Sequence, residues 1–155
     1  MNAYDYAMKV EKEGEKYYRE LANKASYTGL KTVFNILAKE EVKHYNVIKD
    51  MKKNTNVDLN KLDIILDTKT VYEVLIGGKD TVTFDSDEIQ FYEEAIRRED
   101  NASQFYLDKA NELEDENAKS IFIKLAAEEE KHKVLLENIL SFIQGQSNLV
   151  EAAEF

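Results

Sequence analysis

Cysteine and proline are absent from the 155-residue sequence, and only five glycines occur in it. Without cysteine the chain can form no disulfide, no zinc ribbon, no Cys-ligated iron–sulfur cluster and no thiol nucleophile. Without proline, and with so little glycine, long helices can run without interruption. The composition therefore favours a helical protein whose chemistry depends on other side chains.

Positive charge is also in deficit. The 31 Asp and Glu residues outnumber the 21 Lys and Arg residues, and the formal net charge is −10. This balance argues against binding to nucleic acid or to an anionic membrane. The N-terminal segment has no apolar signal core, and no apolar run approaches the roughly 18 residues of a membrane span. We therefore expect a soluble, cytoplasmic protein with neither of these partners.

The only two histidines end the same short phrase. AKEEVKH ends at His44, and AAEEEKH ends at His132, 88 residues later. When residues 11–52 are laid on residues 99–140 without a gap, 12 of the 42 positions are identical. A gapless match of this length predicts two copies of one structural unit.

Apolar residues recur at intervals of three and four along four segments, which predicts amphipathic helices. Thr28 has the chemistry of an N-cap for the second helix, and Gly145 is expected to end the fourth. Links of two or three residues within each pair predict two antiparallel hairpins. The predicted helices run near 3–25, 29–52, 86–113 and 116–144. The predicted organisation is one domain over 1–144, with hairpins at 3–52 and 86–144, a crossover at 53–85 and a tail at 145–155.

The crossover is long enough to span the bundle. A helix of about 24 residues is about 36 Å long, and an extended chain covers that distance in about 11 residues. The third helix can therefore return parallel to the second. Apolar residues in the crossover indicate a short helix packed on the bundle, namely Leu59, Leu62, Ile65 and Leu66. The same length makes an exchange of hairpins between two chains geometrically feasible.

Helix geometry places four glutamates at one level of the bundle. Glu11 and Glu41 are each 15 residues from the turn of the first hairpin. Because both helices rise about 1.5 Å per residue, the two carboxylates meet at the same height. Glu99 and Glu129 stand in the same relation to the second turn. Each of the four interrupts an apolar stripe, so each is expected to point into the core.

Each histidine follows a glutamate by three residues on the same helix face, as Glu41 precedes His44 and Glu129 precedes His132. A single Glu-x-x-His pair is common on charged surface helices, but chance does not explain two in register. Three neighbouring glutamates are instead assigned to the surface: Glu40, Glu128 and Glu130.

Four buried carboxylates at one level require compensation. One unpaired buried carboxylate costs several kcal/mol, whereas a domain has a net stability of only about 5–15 kcal/mol. Two divalent cations would balance the four charges. Carboxylate and imidazole ligands together favour iron or manganese, and zinc competes through its affinity.

A glutamate on two helices and a Glu-x-x-His pair on the other two resemble the ferritin-like proteins with dinuclear carboxylate sites. The resemblance spans residues 1–144 and is closest to the ferritin-like domain of rubrerythrins. The phrases that carry it are VEKEGEKYYRELA (10–22), FNILAKEEVKH (34–44) and IFIKLAAEEEKH (121–132). It implies an all-α, ferritin-like four-helix bundle that holds two iron ions.

The resemblance also implies roles for particular residues. The implied metal ligands are Glu11, Glu41, His44, Glu99, Glu129 and His132. Glu41 and Glu129 would bridge the metals, and the other four would each bind one metal. Tyr18 and Tyr106 would donate hydrogen bonds to the ligands; the alternative is that they are ordinary core tyrosines.

The sequence departs from rubrerythrins in two ways. It has no cysteine for a rubredoxin-type electron relay, so we expect an external electron donor protein. Rubrerythrin peroxidases also carry an extra glutamate one turn after the third-helix ligand. The matching residue here is Ala102, with Gly14 at the repeated position. These small residues weaken the transfer of the peroxidase mechanism and leave space for an oxidant.

Three functions remain open at this stage. The first is an oxidoreductase that reduces hydrogen peroxide or O2 at a buried diiron site. The second is ferrous iron oxidation for sequestration, as in ferritins, which predicts a cage. The third is a bundle with a structural or sensing metal, or one that oxidises an unrecognised organic substrate. The short C-terminal tail favours a homodimer over a cage.

Overall fold

The computed structural model describes residues 2–25, 28–53, 57, 62 and 86–153, apart from the side chains of 86 and 146–153. Four helices make up nearly all of this part of the chain, and no strand occurs in it. They are α1 (Ala3–Lys24), α2 (Thr28–Lys52), α3 (Ser86–Glu112) and α4 (Glu116–Ala153). The predicted all-α, ferritin-like bundle is confirmed. None of the helices in the described ranges is long and apolar enough to cross a membrane.

Local hydrogen bonds set the ends of the first hairpin. The Asn2 side chain accepts a hydrogen bond from the backbone N–H of Asp5 at 2.8 Å and caps α1. Ala25, the residue that follows α1, has an extended backbone conformation, so the helix ends at Lys24. Lys52, at the end of α2, lies 2.5 Å from the Asp5 carboxylate at the start of α1. The two helices therefore pack antiparallel.

Contacts between the hairpins reveal the relative direction of α1 and α3. Tyr18 follows Glu11 by seven residues on α1, and Tyr106 follows Glu99 by seven residues on α3. The Tyr18 hydroxyl bonds Glu99, whereas the Tyr106 hydroxyl bonds Glu11. Tyr6 packs on Phe105 near one end of the bundle, and the Tyr17 hydroxyl donates to the Phe91 carbonyl towards the other end. The helices α1 and α3 therefore run antiparallel, and α3 runs parallel to α2. This direction agrees with the long crossover that the sequence predicts between α2 and α3.

Apolar clusters fill the bundle at both ends of the glutamate level. In one cluster the rings of Phe34 and Tyr92 lie 5.5 Å apart. In the other, the rings of Tyr106 and Phe122 lie 5.5 Å apart, and Leu62 from the crossover is fully buried. The two clusters pack the four helices together on either side of the glutamate level.

The end of α4 differs from the prediction, and most of the predicted crossover helix is outside the described residues. Gly145 does not end the fourth helix, because α4 continues through it to Ala153. An exposed glycine costs a helix only about 1 kcal/mol relative to alanine, so the helix can continue past it. The predicted short helix in the crossover falls mainly outside the described residues, including its Leu59, Ile65 and Leu66.

Candidate metal centre

The bundle brings the six proposed ligands together at one buried level. The side chains come from inner turns of the four helices, and none is more than 4% exposed. They are Glu11 on α1, Glu41 and His44 on α2, Glu99 on α3, and Glu129 and His132 on α4. The antiparallel hairpins bring the four glutamates together, as the rise per residue predicted, and each histidine lies about one turn further along its helix.

Ligand atoms from these residues form two overlapping groups. One consists of Glu11, Glu41, His44 and Glu129, with one candidate ligand atom of each within 4.8 Å of the others. A second group of the same kind consists of Glu41, Glu99, Glu129 and His132. Glu41 and Glu129 belong to both groups. The geometry therefore offers two adjacent positions for cations, with two carboxylates in reach of both.

Both imidazoles direct Nδ1 towards the carboxylates. His44 Nδ1 lies 2.7 Å from Glu129 Oε1 and 3.5 Å from Glu11 Oε1. His132 Nδ1 lies 3.4 Å from Glu41 Oε1 and 3.5 Å from Glu99 Oε1. The two rings are nearly parallel, with centroids 5.5 Å apart. The Nε2 atoms therefore lie on the side away from the carboxylate cluster.

Two tyrosines connect this cluster across the hairpins. The Tyr106 hydroxyl donates to Glu11 Oε1 at 2.5 Å, and the Tyr18 hydroxyl donates to Glu99 Oε1. Both tyrosines are buried. Burial and the adjacent carboxylates, Glu99 for Tyr18 and Glu11 for Tyr106, raise the pKa of each phenol well above its usual value. The phenols therefore stay protonated and act as donors.

The four carboxyl groups separate into two electrostatic classes. Burial raises the pKa of Glu41 and Glu129 well above the usual value, and the charge of Glu11 raises it further. Burial opposes ionisation of Glu11 as well, but His44 and hydrogen bonds outweigh it and lower the pKa of Glu11 to about 2. His132 likewise lowers the pKa of Glu99. Glu41 and Glu129, the two carboxyl groups within reach of both cation positions, are therefore the ones whose protonated form is favoured in the absence of metal.

The same carboxylates favour the charged form of the imidazoles. Burial alone would lower the pKa of both histidines. Glu11 raises the pKa of His44 above its usual value, and Glu99 and its neighbours raise that of His132 much further. The charge of the carboxylates thus favours protonated imidazoles in the metal-free site.

The donor set fits a pair of divalent cations. Several buried ligand atoms have no hydrogen-bond partner, namely Glu11 Oε2, Glu41 Oε1, Glu99 Oε2 and His132 Nδ1. Unpartnered buried polar atoms are costly, and bound cations would satisfy them. Mixed carboxylate and imidazole donors suit iron, manganese and zinc.

A pocket of about 210 Å³ reaches this cluster between α1 and α3. Glu41, Glu99 and Glu129 lie at its inner end. Gly14 and Ala102, the two small residues noted in the sequence, line it. A Cβ atom at Gly14 would lie 2.7 Å from Glu41 Oε2, which is too close for the carboxylate to keep its position. The pocket and the orientation of Glu41 both depend on this glycine.

The assignment of Glu40 and Glu128 to the surface is wrong. Glu40 is 4% exposed and Glu128 is fully buried, whereas Glu130 is exposed as expected. Lys43 lies 3.0 Å from Glu40 Oε1, and Lys131 lies 3.0 Å from Glu128 Oε1. These lysines snorkel to the surface and allow the carboxylates to be buried. A lysine three residues after each glutamate was the available sequence signal.

The Rubrerythrin family model matches residues 3–140. The chain belongs to the rubrerythrin family. A search of curated proteins and a search of solved structures returned no match. For a rubrerythrin-family chain, the buried cluster of four glutamates and two histidines is the candidate metal centre, and its ligand assignments are developed as proposals below.

Proposed function

We propose that this rubrerythrin-family chain binds two iron ions and reduces hydrogen peroxide or dioxygen. The observation that supports this most strongly is the pair of overlapping ligand groups that share Glu41 and Glu129. Two shared carboxylates are suited to hold two cations close enough to act on one small molecule. The pocket between α1 and α3 supplies a route for that molecule.

Each proposed ligand has a defined position. Glu11 and His44 would hold one iron, Glu99 and His132 the other, and Glu41 and Glu129 both. Iron in its ferrous state would supply one electron per ion to the O–O bond. Manganese or zinc would suit the same donors, so the identity of the metal is part of the proposal.

The remaining contribution of the chain is orientation and exclusion of water. The hydroxyls of Tyr18 and Tyr106 hold Glu99 and Glu11 in place. The apolar clusters at both ends of the site close it to solvent along the bundle axis. The 155 residues contain no cysteine, so we propose that electrons reach the site from a donor outside these residues. The homodimer expected from the sequence stays a prediction.

An anaerobic ferrous titration tests the proposed function. We expect two irons per chain, oxidised faster by stoichiometric hydrogen peroxide than by air. Glu130→Ala, on an exposed position of α4, is a matched control for ligand variants. Continued iron uptake after oxidation by air would instead favour sequestration of iron. Failure to bind iron tightly would contradict the proposal.

A further inference from the structure

The pocket at the candidate metal centre is larger than hydrogen peroxide requires. Its volume is about 210 Å³. An apolar protein cavity of about 150 Å³ holds a benzene molecule, whereas one water occupies about 30 Å³ in the liquid. A small organic molecule therefore fits with its reactive end beside the glutamates.

The walls of the pocket are suited to a hydrocarbon body. Val10 and Phe105 line it, and the Tyr6 ring packs against Phe105 at a tilt, with ring centroids 4.8 Å apart. Ala102 lies next to the carboxylates, where a larger side chain would fill the space. Three polar side chains outside the glutamate cluster also line the pocket, namely Glu13, Arg98 and Asn101. Small-molecule sites typically combine mainly apolar walls with a few polar groups.

We propose that this pocket admits small organic hydroperoxides, with the peroxy group at the glutamates and the hydrocarbon group against Val10, Tyr6 and Phe105. The redox step rests on the proposed function. With two ferrous ions bound, the O–O bond of ROOH would break on taking one electron from each ion and two protons from solvent. The products would be ROH, water and two ferric ions. The site would thereby reduce small organic hydroperoxides as well as hydrogen peroxide.

Ala102→Leu tests this proposal, because leucine narrows the pocket without replacing a proposed ligand. Ala127→Leu makes the same exchange at an exposed position of α4 and serves as the control. The first readout is binding of 2-phenyl-2-propanol, the alcohol formed from cumene hydroperoxide, to the zinc-loaded protein by saturation-transfer NMR. The second is anaerobic oxidation of the ferrous protein by cumene hydroperoxide and by hydrogen peroxide.

We expect wild type and Ala127→Leu to bind the alcohol and Ala102→Leu to lose it. In Ala102→Leu, oxidation by cumene hydroperoxide should slow about tenfold or more relative to oxidation by hydrogen peroxide, the scale on which pockets discriminate by size, because the narrowed pocket still admits the smaller oxidant. No alcohol binding to wild type, or equal slowing for both oxidants, would overturn the proposal. If Ala102→Leu does not hold two zinc ions, Val10→Phe narrows the outer wall instead.

These readouts separate the pocket from the proposed function. Alcohol binding to the zinc protein requires no redox chemistry, so it decides whether the pocket takes an organic body. If the alcohol binds but neither peroxide oxidises the ferrous protein, the proposed function fails, and the organic hydroperoxide step fails with it.

A separate observation concerns Glu40, on the far side of the histidines. Oε1 of Glu40 contacts Lys43, but Oε2 is buried without a hydrogen-bond partner. Nε2 of His44 and Nε2 of His132 are also buried without partners. One oxygen of Glu40 and one ring nitrogen of each histidine lie within 4.8 Å of one another. A buried carboxylate with an unpartnered oxygen therefore lies near two imidazoles, each with an unpartnered Nε2 atom.

The chemistry of histidine gives this juxtaposition a role. An imidazole that binds a metal through Nδ1 carries its proton on Nε2, and such protons are usually donated to a carboxylate, a carbonyl or water. We infer that Glu40 is a positioning residue that accepts the Nε2 proton of a metal-binding histidine. It would orient the ring and fix its tautomer without touching the metal.

Cobalt binding tests the role of Glu40. We expect Glu40→Leu to bind two Co²⁺ ions about 10–100-fold more weakly, with an altered visible spectrum. Glu40→Gln keeps an oxygen acceptor and should recover most of the affinity. Glu128→Leu removes an equally buried glutamate that forms no such group with both rings, and it serves as the control.

Three outcomes would overturn this inference. The first is unchanged cobalt affinity in Glu40→Leu. The second is an equal loss in Glu128→Leu, which would indicate a general effect of removing buried charge. The third is three cobalt ions per wild-type chain and two in Glu40→Leu, which would make Glu40 itself a ligand. The melting temperature of each metal-free variant shows whether it still folds.

Discussion

The Tyr106 hydroxyl donates a hydrogen bond over 2.5 Å to Oε1 of Glu11, a residue of the other hairpin. Tyr18 makes the reciprocal contact to Glu99. Each bond crosses between hairpins at the level of the candidate metal centre. The packing of the hairpins and the orientation of two proposed ligands therefore depend on the same two hydroxyls.

Replacement of either tyrosine by phenylalanine should weaken the site without abolishing it. Tyr106→Phe leaves a buried carboxylate short of a donor, and a hydrogen bond to a charged group contributes about 1.5–3 kcal/mol. We expect a loss of stability of that size in the metal-free protein. The variant should still bind two metal ions, with an affinity about 10–100-fold lower.

Chemical unfolding and metal titration measure these two effects. Tyr92→Phe is the matched control, because Tyr92 is also buried but packs against Phe34 in the apolar cluster. Complete loss of metal binding in Tyr106→Phe would show that the tyrosine does more than orient a ligand.

The shared and unshared carboxylates should respond differently to substitution. Glu41 and Glu129 belong to both ligand groups, whereas Glu11 belongs to one. We expect Glu41→Ala or Glu129→Ala to abolish binding of the metal pair. Glu11→Ala should leave one ion bound at the position of Glu99. Metal content after dialysis, measured by atomic emission, distinguishes these cases, and two ions in Glu41→Ala would contradict the bridging assignment.

The metal-free protein should lose stability as the pH rises from about 5 to 8. The folded state raises the pKa of Glu41 and Glu129 well above 4.5 and those of His44 and His132 above 6.5. It therefore binds more protons than the unfolded chain in this range, and stability falls with pH. The opposite contribution of Glu11, whose pKa is lowered to about 2, is complete above the unfolded value of 4.5.

Bound metal should reverse this trend. Cations bind deprotonated ligands, so their affinity rises with pH and their binding releases protons. Melting curves at pH 5, 6, 7 and 8, with zinc and with a chelator, give the comparison. Greater stability of the metal-free protein at pH 8 than at pH 5 would contradict the electrostatic account of the site.

The sequence predicted the level of the site well because helix rise is nearly constant. Equal spacing of Glu11 and Glu41 from one turn was sufficient to place them at one height. The Glu-x-x-His pairs followed from the repeat in the same way. These relations depend on local geometry alone, which explains why they could be found without coordinates.

Features that depend on contacts between helices were harder to predict. Glu40 was assigned to the surface because it lies beside the stripe of α2 that points to the core. The structure buries it, and Lys43 carries the charge outward. The crossed partners of Tyr18 and Tyr106 also depend on how the two hairpins pack against each other. Neither feature follows from the periodicity of one helix.

Substitution by alanine should have opposite effects at Gly14 and at Gly145. Both lie inside helices, where alanine is usually more stable than glycine by about 1 kcal/mol. A Cβ atom at Gly145 would have no neighbour within 4 Å, so Gly145→Ala should stabilise the protein by up to that amount. A Cβ atom at Gly14 would lie 2.7 Å from Glu41 Oε2.

Gly14→Ala should therefore displace the Glu41 carboxylate and weaken binding of both metal ions. Because Glu41 belongs to both ligand groups, the loss should affect the two positions together rather than one. Metal titration of the two alanine variants checks this, with Gly145→Ala expected to match wild type. Wild-type metal affinity in Gly14→Ala would mean that Glu41 does not need the position it has here, and its role as a bridging ligand would lose its structural basis.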